Sequence, residues 1–237
     1  MATNDTAAGH EDALHGASVL VAGASGGLGS AIARALADRG AILTLAARRP
    51  DRLESLDVPG TRVALDLRTA EACSTAVAAA VEAGGGLDIV VNAVGVVAFG
   101  PVDELSVDAM EELFLTNVFV PIMLARAALP HLRAGGTICN LSGVIAEQNL
   151  PGMAAYGASK AAVRSFDEAL AREARRRKVR VIDARPPHTE TGLADRPIEG
   201  TAPRMPQGLT PDVVAAVIVE ALAGDVTDLP SEAFAAG

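Results

Sequence analysis

Short runs of apolar residues recur along the chain, with no polar alternation inside them, between longer stretches where Ala and Leu return every three or four positions. Unalternated runs belong to strands buried on both faces, and the longer stretches to helices that cover them. The pattern predicts strands over 18–22, 42–46, 62–65, 89–92, 137–141 and 179–184, with a short seventh within 224–234. Helices are predicted over 28–38, 70–82, 107–132, 153–177 and 212–223. Strand and helix alternating in this way give a doubly wound α/β fold, three layers with a central parallel sheet. Between the sixth strand and the last helix, residues 186–211 carry six prolines. A connection of that length in a compact domain usually has a job, such as covering a ligand.

Composition narrows the picture. With 237 residues, half of them hydrophobic, and no break in composition, a single domain over 17–237 is expected. Residues 1–16 read as a tail whose polar, small-residue character favours disorder and lacks the apolar stretch of a secretory leader. No uninterrupted apolar run reaches the roughly 18 residues that a membrane span needs. A net charge of -9 argues against nucleic acid as a partner. The basic cluster Arg175-Arg176-Arg177-Lys178 ends a predicted helix, where cations suit the dipole. Cys73 and Cys139 have no neighbour at metal spacing, so reduced core thiols in a cytoplasmic protein without a metal are expected.

Candidate chemistry begins directly after the first strand, at Gly23-Ala24-Ser25-Gly26-Gly27-Leu28-Gly29. Glycines at 23, 27 and 29 let the backbone turn tightly against a pyrophosphate, whose charge then meets the amides that open the next helix. After the second strand comes Arg48-Arg49, with no acid before Asp51. A carboxylate there would repel a 2′-phosphate, whereas the Arg48 guanidinium clamps one, with the Ser25 hydroxyl as a further contact. NADP(H) is therefore expected in preference to NAD(H).

The Gly-xxx-Gly-x-Gly spacing resembles the short-chain dehydrogenase/reductase superfamily, whose fold is of the Rossmann type, and the resemblance extends through most of the chain. Asp66, with Leu67 beside it, closes the third strand where that family contacts adenine. Asn92-Ala93-Val94-Gly95 is similar to its Asn-Asn-Ala-Gly element. Asn117, Ser142, Tyr156 and Lys160 fall in the order of its catalytic tetrad, and Pro186 and Thr191, with Thr189 between them, match its Pro-Gly-x-x-x-Thr segment. Ala22, Val91 and Pro187 depart from the family's pattern, and none removes a group that does chemistry. The resemblance implies a small-molecule substrate and a homo-oligomer, tetramer or dimer, paired through the helices over 107–132 and 153–177.

Tyr156, the chain's single tyrosine, stands four residues before Lys160, one of two lysines. On a helix both share a face, so the ammonium eases ionisation of the phenol and makes Tyr156 a candidate acid/base. Ser142, at a strand end, is positioned to donate a second hydrogen bond to the reacting oxygen. Lys160 also holds the nicotinamide ribose in the family. Pro121 lacks the N–H that the Asn117 carbonyl would take in an unbroken helix, which predicts a kink and a free carbonyl; in the family this Asn anchors a water that relays protons. His188, after two prolines, reads as a solvated or backbone-bonded loop histidine rather than a catalyst. Glu147, Gln148 and Asn149 are equally consistent with contact to a polar substrate group and with ordinary loop polarity. Val96, Val97, Phe99, Val144, Leu150 and Met153 imply a partly apolar substrate of small to medium size. The expected activity is carbonyl reductase chemistry, an NADP(H)-dependent interconversion of a carbonyl and an alcohol. An imine reductase, an isomerase-type relative and a catalytically silent nucleotide sensor of the same fold remain as alternatives.

Overall fold

The structure, a computed structural model, describes residues 12–235. Seven strands form one all-parallel sheet in the order β3-β2-β1-β4-β5-β6-β7. They are β1 (Ser18–Ala22), β2 (Ile42–Ala47), β3 (Thr61–Ala64), β4 (Leu87–Asn92), β5 (Leu132–Leu141), β6 (Arg180–Ala184) and β7 (Asp228–Leu229). The helices are α1 (Gly27–Asp38), α2 (Pro50–Glu54), α3 (Ala70–Gly84), α4 (Val107–Phe114), α5 (Val120–Ala128), α6 (Ala154–Ala174) and α7 (Pro211–Ala223).

Successive residues of a strand face opposite ways, and here both ways lead into core. Val19 and Val21 pack with Ile32 and Leu36 of α1 and Val214 and Ile218 of α7. Leu20 and Ala22 pack with Ala76 and Val77 of α3 and Val120 and Leu124 of α5. A third cluster joins Ile138 and Val181 to Leu170 and Ala174 of α6. Burial on both faces is the reason the strands carry no polar alternation.

Three expectations need correction. The tail over 1–16 ends too late: residues 12–16 form a turn, Leu14 is buried in the first core cluster, and Asp12 accepts from Arg39 Nη2 at 2.9 Å. The remainder of that tail lies outside the described residues. The helix over 107–132 is three pieces, α4 and α5 separated by one π turn at Leu115–Phe119, and after Ala128 the chain turns over 129–131 into β5, which begins at Leu132. Pro121 causes the break, because the carbonyl of Asn117 has no N–H four residues on; the ladder widens, and Val120 N–H donates to Leu115, five residues back. The short helix α2, with Pro50 in its first turn, was not foreseen.

Candidate active site

The carboxyl ends of the strands open on a cavity of about 590 Å³. Its floor is the turn after β1. Gly23 holds φ +81 and lies so close to the backbone of Ala93 that a Cβ would come within 2.8 Å of it. Helix α1 then starts from Gly26 with no side-chain cap and no acid in its first turn, whereas Thr69, Ser106 and Thr210 cap α3, α4 and α7. The uncapped amides belong to residues that line the cavity, so this helix end fits an anionic group such as a pyrophosphate.

Around that turn the cavity brings together Gly23, Ser25, Gly27, Leu28, Gly29, Arg48, Arg49, Asp66, Leu67, Gly95, Pro186, Thr189 and Thr191. Asn92 is the exception: it is buried below the cavity, donating to Asn140 Oδ1 at 3.2 Å and accepting from Val94 N at 3.2 Å. Arg49 is paired with Asp51 at 2.5 Å, while exposed Arg48 has no ion pair among the described residues. Arg52, one turn into α2, also faces the cavity. Only that short helix turns it inward, so the sequence carried no signal for it. Asp66 is gripped by Arg68 at 2.6 Å, which holds its carboxyl below the usual range, and Arg68 reaches on to Glu112 at 2.8 Å.

Tyr156 and Lys160, one turn apart on α6, line the opposite wall. Lys160 is buried and donates from Nζ to the carbonyl of Leu141 at 2.8 Å. Burial lowers it to about 8, partly offset by the charge of Asp183. In the ligand-free site desolvation pushes the Tyr156 phenol up to about 12, opposite in sign to the easing expected from the lysine. A partly buried phenol with so raised a pKa keeps its proton at neutral pH.

Ser142 departs from expectation too. It borders the cavity with no open surface, and its hydroxyl donates to Asp183 Oδ1 rather than toward the space where a substrate would lie. Asn117 lies behind the wall, buried, and its side chain ties the strand-end loop to α6. Its Oδ1 accepts from Val96 N at 2.9 Å, and its Nδ2 donates to Val96 O and to Ser159 Oγ, each at 3.0 Å. Ser159 in turn donates to the Tyr156 carbonyl at 2.7 Å.

The remaining lining is largely apolar. Val97, Phe99, Val144, Leu150 and Met153 face the cavity as expected, joined by Ile145, Leu193 and Met205, while Val96 packs instead against Leu113. Glu147 turns away to the buried guanidinium of Arg185 and to Arg164 at 3.5 Å, so it is not a substrate contact. Gln148 and Asn149 are not among the lining residues. His188 faces the cavity with Glu190 beside it at 3.5 Å. Among the described residues no group of three or more His, Cys, Asp or Glu could hold a metal, and no helix is long and apolar enough to cross a membrane.

Comparison with known proteins agrees with this geometry. A family profile described as short chain dehydrogenase matches residues 17–200. An uncharacterized oxidoreductase of Methylorubrum extorquens is 32% identical over 222 residues, covering 86% of this chain and 90% of that protein. A gluconate 5-dehydrogenase of Gluconobacter oxydans is 30% identical, covering 77% of this chain and 75% of that protein. Among solved structures, a short chain dehydrogenase from Burkholderia cenocepacia in complex with NADP superposes with a TM-score of 0.81 at 29% identity, covering 92% of this chain and 96% of that one.

Proposed function

The chain belongs to the short chain dehydrogenase family and is an NAD(P)-dependent oxidoreductase, and from that premise we propose that it interconverts a carbonyl and an alcohol on a small to medium, partly apolar substrate, with NADP(H) preferred. The observation that carries the proposal is the convergence of Tyr156 and Lys160 on the same cavity as the uncapped end of α1. Residues Gly23 to Gly29, Arg48 and Arg52 would hold the phosphates, and Asp66 and Leu67 the adenine side. A bound nicotinamide dinucleotide supplies the hydride in reduction and accepts it in oxidation.

The chain's own part is proton transfer and positioning. In reduction the carbonyl carbon gains the hydride while its oxygen takes the proton of Tyr156, which burial keeps protonated and available. The ammonium of Lys160 then stabilises the phenolate and, as the site's buried cation, orients the ribose. Val97, Phe99, Leu150, Met153 and Leu193 exclude water and favour an apolar substrate body. A panel of ketones, aldehydes, imines and alcohols, assayed with NADPH, NADH and their oxidised forms, tests the proposal. NADPH consumption that depends on a ketone or aldehyde is expected. Turnover of imines alone, or binding of NADPH with no turnover of any compound, would overturn it.

A further inference from the structure

The long connection over 186–211 is tied at its root and on both sides of the cavity it spans. At the root, Thr189 bridges Leu209, Glu190 N donates to Leu209 O at 2.9 Å, and Gly208 N donates to Glu190 Oε1 at 2.7 Å. On the cofactor side, Thr191 lies within 2.8 Å of where a Cβ on Gly27 would stand, so the connection rests directly on the glycine turn. On the substrate side, residues 198–200 run beside 97–99. Ile198 N donates to Val97 O at 2.8 Å, and Phe99 N donates to Glu199 O at 3.0 Å. Gly200, at φ +78, is flush with the Phe99 carbonyl, and a Cβ there would collide with it.

Glu199 adds a side-chain tie to this backbone pairing. Its carboxylate accepts from Ser106 N at 2.8 Å and from the Ser106 hydroxyl. Ser106 caps α4, accepting from Ala109 N at 3.1 Å, so Glu199 stands over the positive end of that helix. The Ser106 bonds hold its carboxyl below the usual range, which keeps it ionised at neutral pH. Two charge-assisted bonds therefore join the connection after β6 to the start of α4.

The tie matters because of what the connection carries. Leu193, Ala194 and Met205 line the cavity from it, and the first two pack with Val97, Phe99 and Tyr156 into one apolar cluster. How far they stand over Tyr156 depends on how firmly 198–200 are held to 97–99 and to Ser106. We propose that Glu199 is a positioning residue that latches this strap to α4 and so limits the length of the apolar substrate body that the cavity accepts. The length limit rests on the carbonyl and alcohol reading given above; the latch does not.

Two measurements test it. In the cofactor-free protein, trypsin cleavage after the exposed Arg204, followed by mass spectrometry, reports release of the strap without reference to activity. Glu199→Ala should speed that cut about tenfold, the scale of one charge-assisted hydrogen bond, and leave cleavage after the exposed Arg176, beyond α6, unchanged. Ser106→Ala, which keeps the backbone donor, should speed it less and add little in the Glu199→Ala background. The second measurement is kcat/KM with NADPH for methyl ketones of increasing alkyl length. Glu199→Ala should raise the ratio of long to short members about tenfold, through KM for the long ones, with kcat for the short ones and NADPH affinity nearly unmoved. Glu199→Gln, which keeps an uncharged acceptor, should fall between in both measurements and serves if the alanine variant does not fold. An unchanged cut after Arg204, or equal acceleration after Arg176, would overturn the latch. A faster cut with an unchanged ratio would overturn the length limit and leave the carbonyl reading intact. A native protein that reduces no ketone or aldehyde removes that reading and the length limit together, and the cut after Arg204 still decides the latch.

Discussion

Lys160 donates from Nζ to the carbonyl oxygen of Leu141 at 2.8 Å, which fixes the buried cation of the cavity to the strand that leads into Ser142. Burial lowers this lysine to about 8, so it loses its charge as pH rises through that value. We expect kcat/KM for carbonyl reduction, which reports the free enzyme, to fall about tenfold per pH unit above that point. Stability runs the other way. Between about 8 and the ordinary lysine value of 10.5 the unfolded chain holds a proton that the folded chain has released, so the Lys160 contribution to stability rises with pH there. A flat kcat/KM profile up to pH about 10 would show that the ammonium is not required.

Tyr156 starts from the opposite state, protonated until about 12. Its phenol is the acid of the proposed reduction, and Tyr156→Phe removes that acid while leaving ring and packing in place. Turnover should fall at least about 100-fold, with NADPH affinity nearly unchanged. Steady-state assays beside a fluorescence titration of NADPH separate the two, and near-normal turnover would eliminate Tyr156 as the acid.

Much of this site was legible in the sequence because its signals are local. The glycine turn, Tyr156 with Lys160, and Pro121 four residues after Asn117 each state their geometry within one or two turns of chain, and the structure places all of them at the strand ends or just behind them. The acceptor of Ser142 was hidden for the opposite reason. Asp183 lies 41 residues further on, and only the pairing of β5 with β6 brings it alongside. The sign of the Tyr156 shift was equally out of reach. Spacing shows that a lysine is near, whereas the opposing desolvation depends on how the wall packs around the ring. Similarly, the π turn could be foreseen only as a kink, since proline removes a donor without saying how the ladder will rejoin.

Asp167 yields a prediction that needs no substrate. It is 2% exposed, accepts from Asn140 Nδ2 at 2.6 Å on one oxygen, and has no partner on the other. Burial raises it to about 8, with Asp183 adding to the shift and the Asn140 bond opposing it. A raised carboxyl contributes stability that is complete below the ordinary value of 3.8 and is lost as pH rises through about 8. The Tm should therefore decline between pH about 5 and about 8, and Asp167→Asn, which keeps the shape without the ionisation, should flatten that slope. An unchanged slope in the variant would assign the decline to other groups.

Phe114 and Phe119 are 38% and 54% exposed on either side of the α4–α5 junction, an apolar surface within the span expected to pair protomers. We expect a dimer or tetramer by light scattering at micromolar concentration. Phe119→Asp should shift it toward monomer, since a carboxylate in an apolar contact has no partner there. A native protein that is monomeric throughout, or a variant with unchanged mass, would place the contact elsewhere or remove it.

Cofactor choice turns on Arg48. Five arginines line the cavity; Arg68 is taken up by Asp66 and Glu112, Arg196 stands on the loop after β6, and the three that follow β2, Arg48, Arg49 and Arg52, are not equivalent. Arg49 is already engaged with Asp51 at 2.5 Å, so recruiting it to a ligand means giving up that pair. Arg48 is exposed and has no ion pair among the described residues, and Arg52 stands one turn into α2, so these two form the cation set available to a 2′-phosphate. The acid nearest the adenine side, Asp66, is held by Arg68 and Glu112 lies beyond that guanidinium, which softens the repulsion a phosphate would meet. A guanidinium contact to phosphate is charge-assisted and worth roughly 1.5–3 kcal/mol, enough for a preference of about tenfold or more for NADPH over NADH. Arg48→Ala should remove most of that preference by weakening NADPH and sparing NADH, and Arg49→Ala should matter less because its charge is already paired. Titration of both cofactors against the three proteins decides the matter: equal affinities in the native chain, or a larger loss at Arg49 than at Arg48, would show that Arg48 does not set the choice.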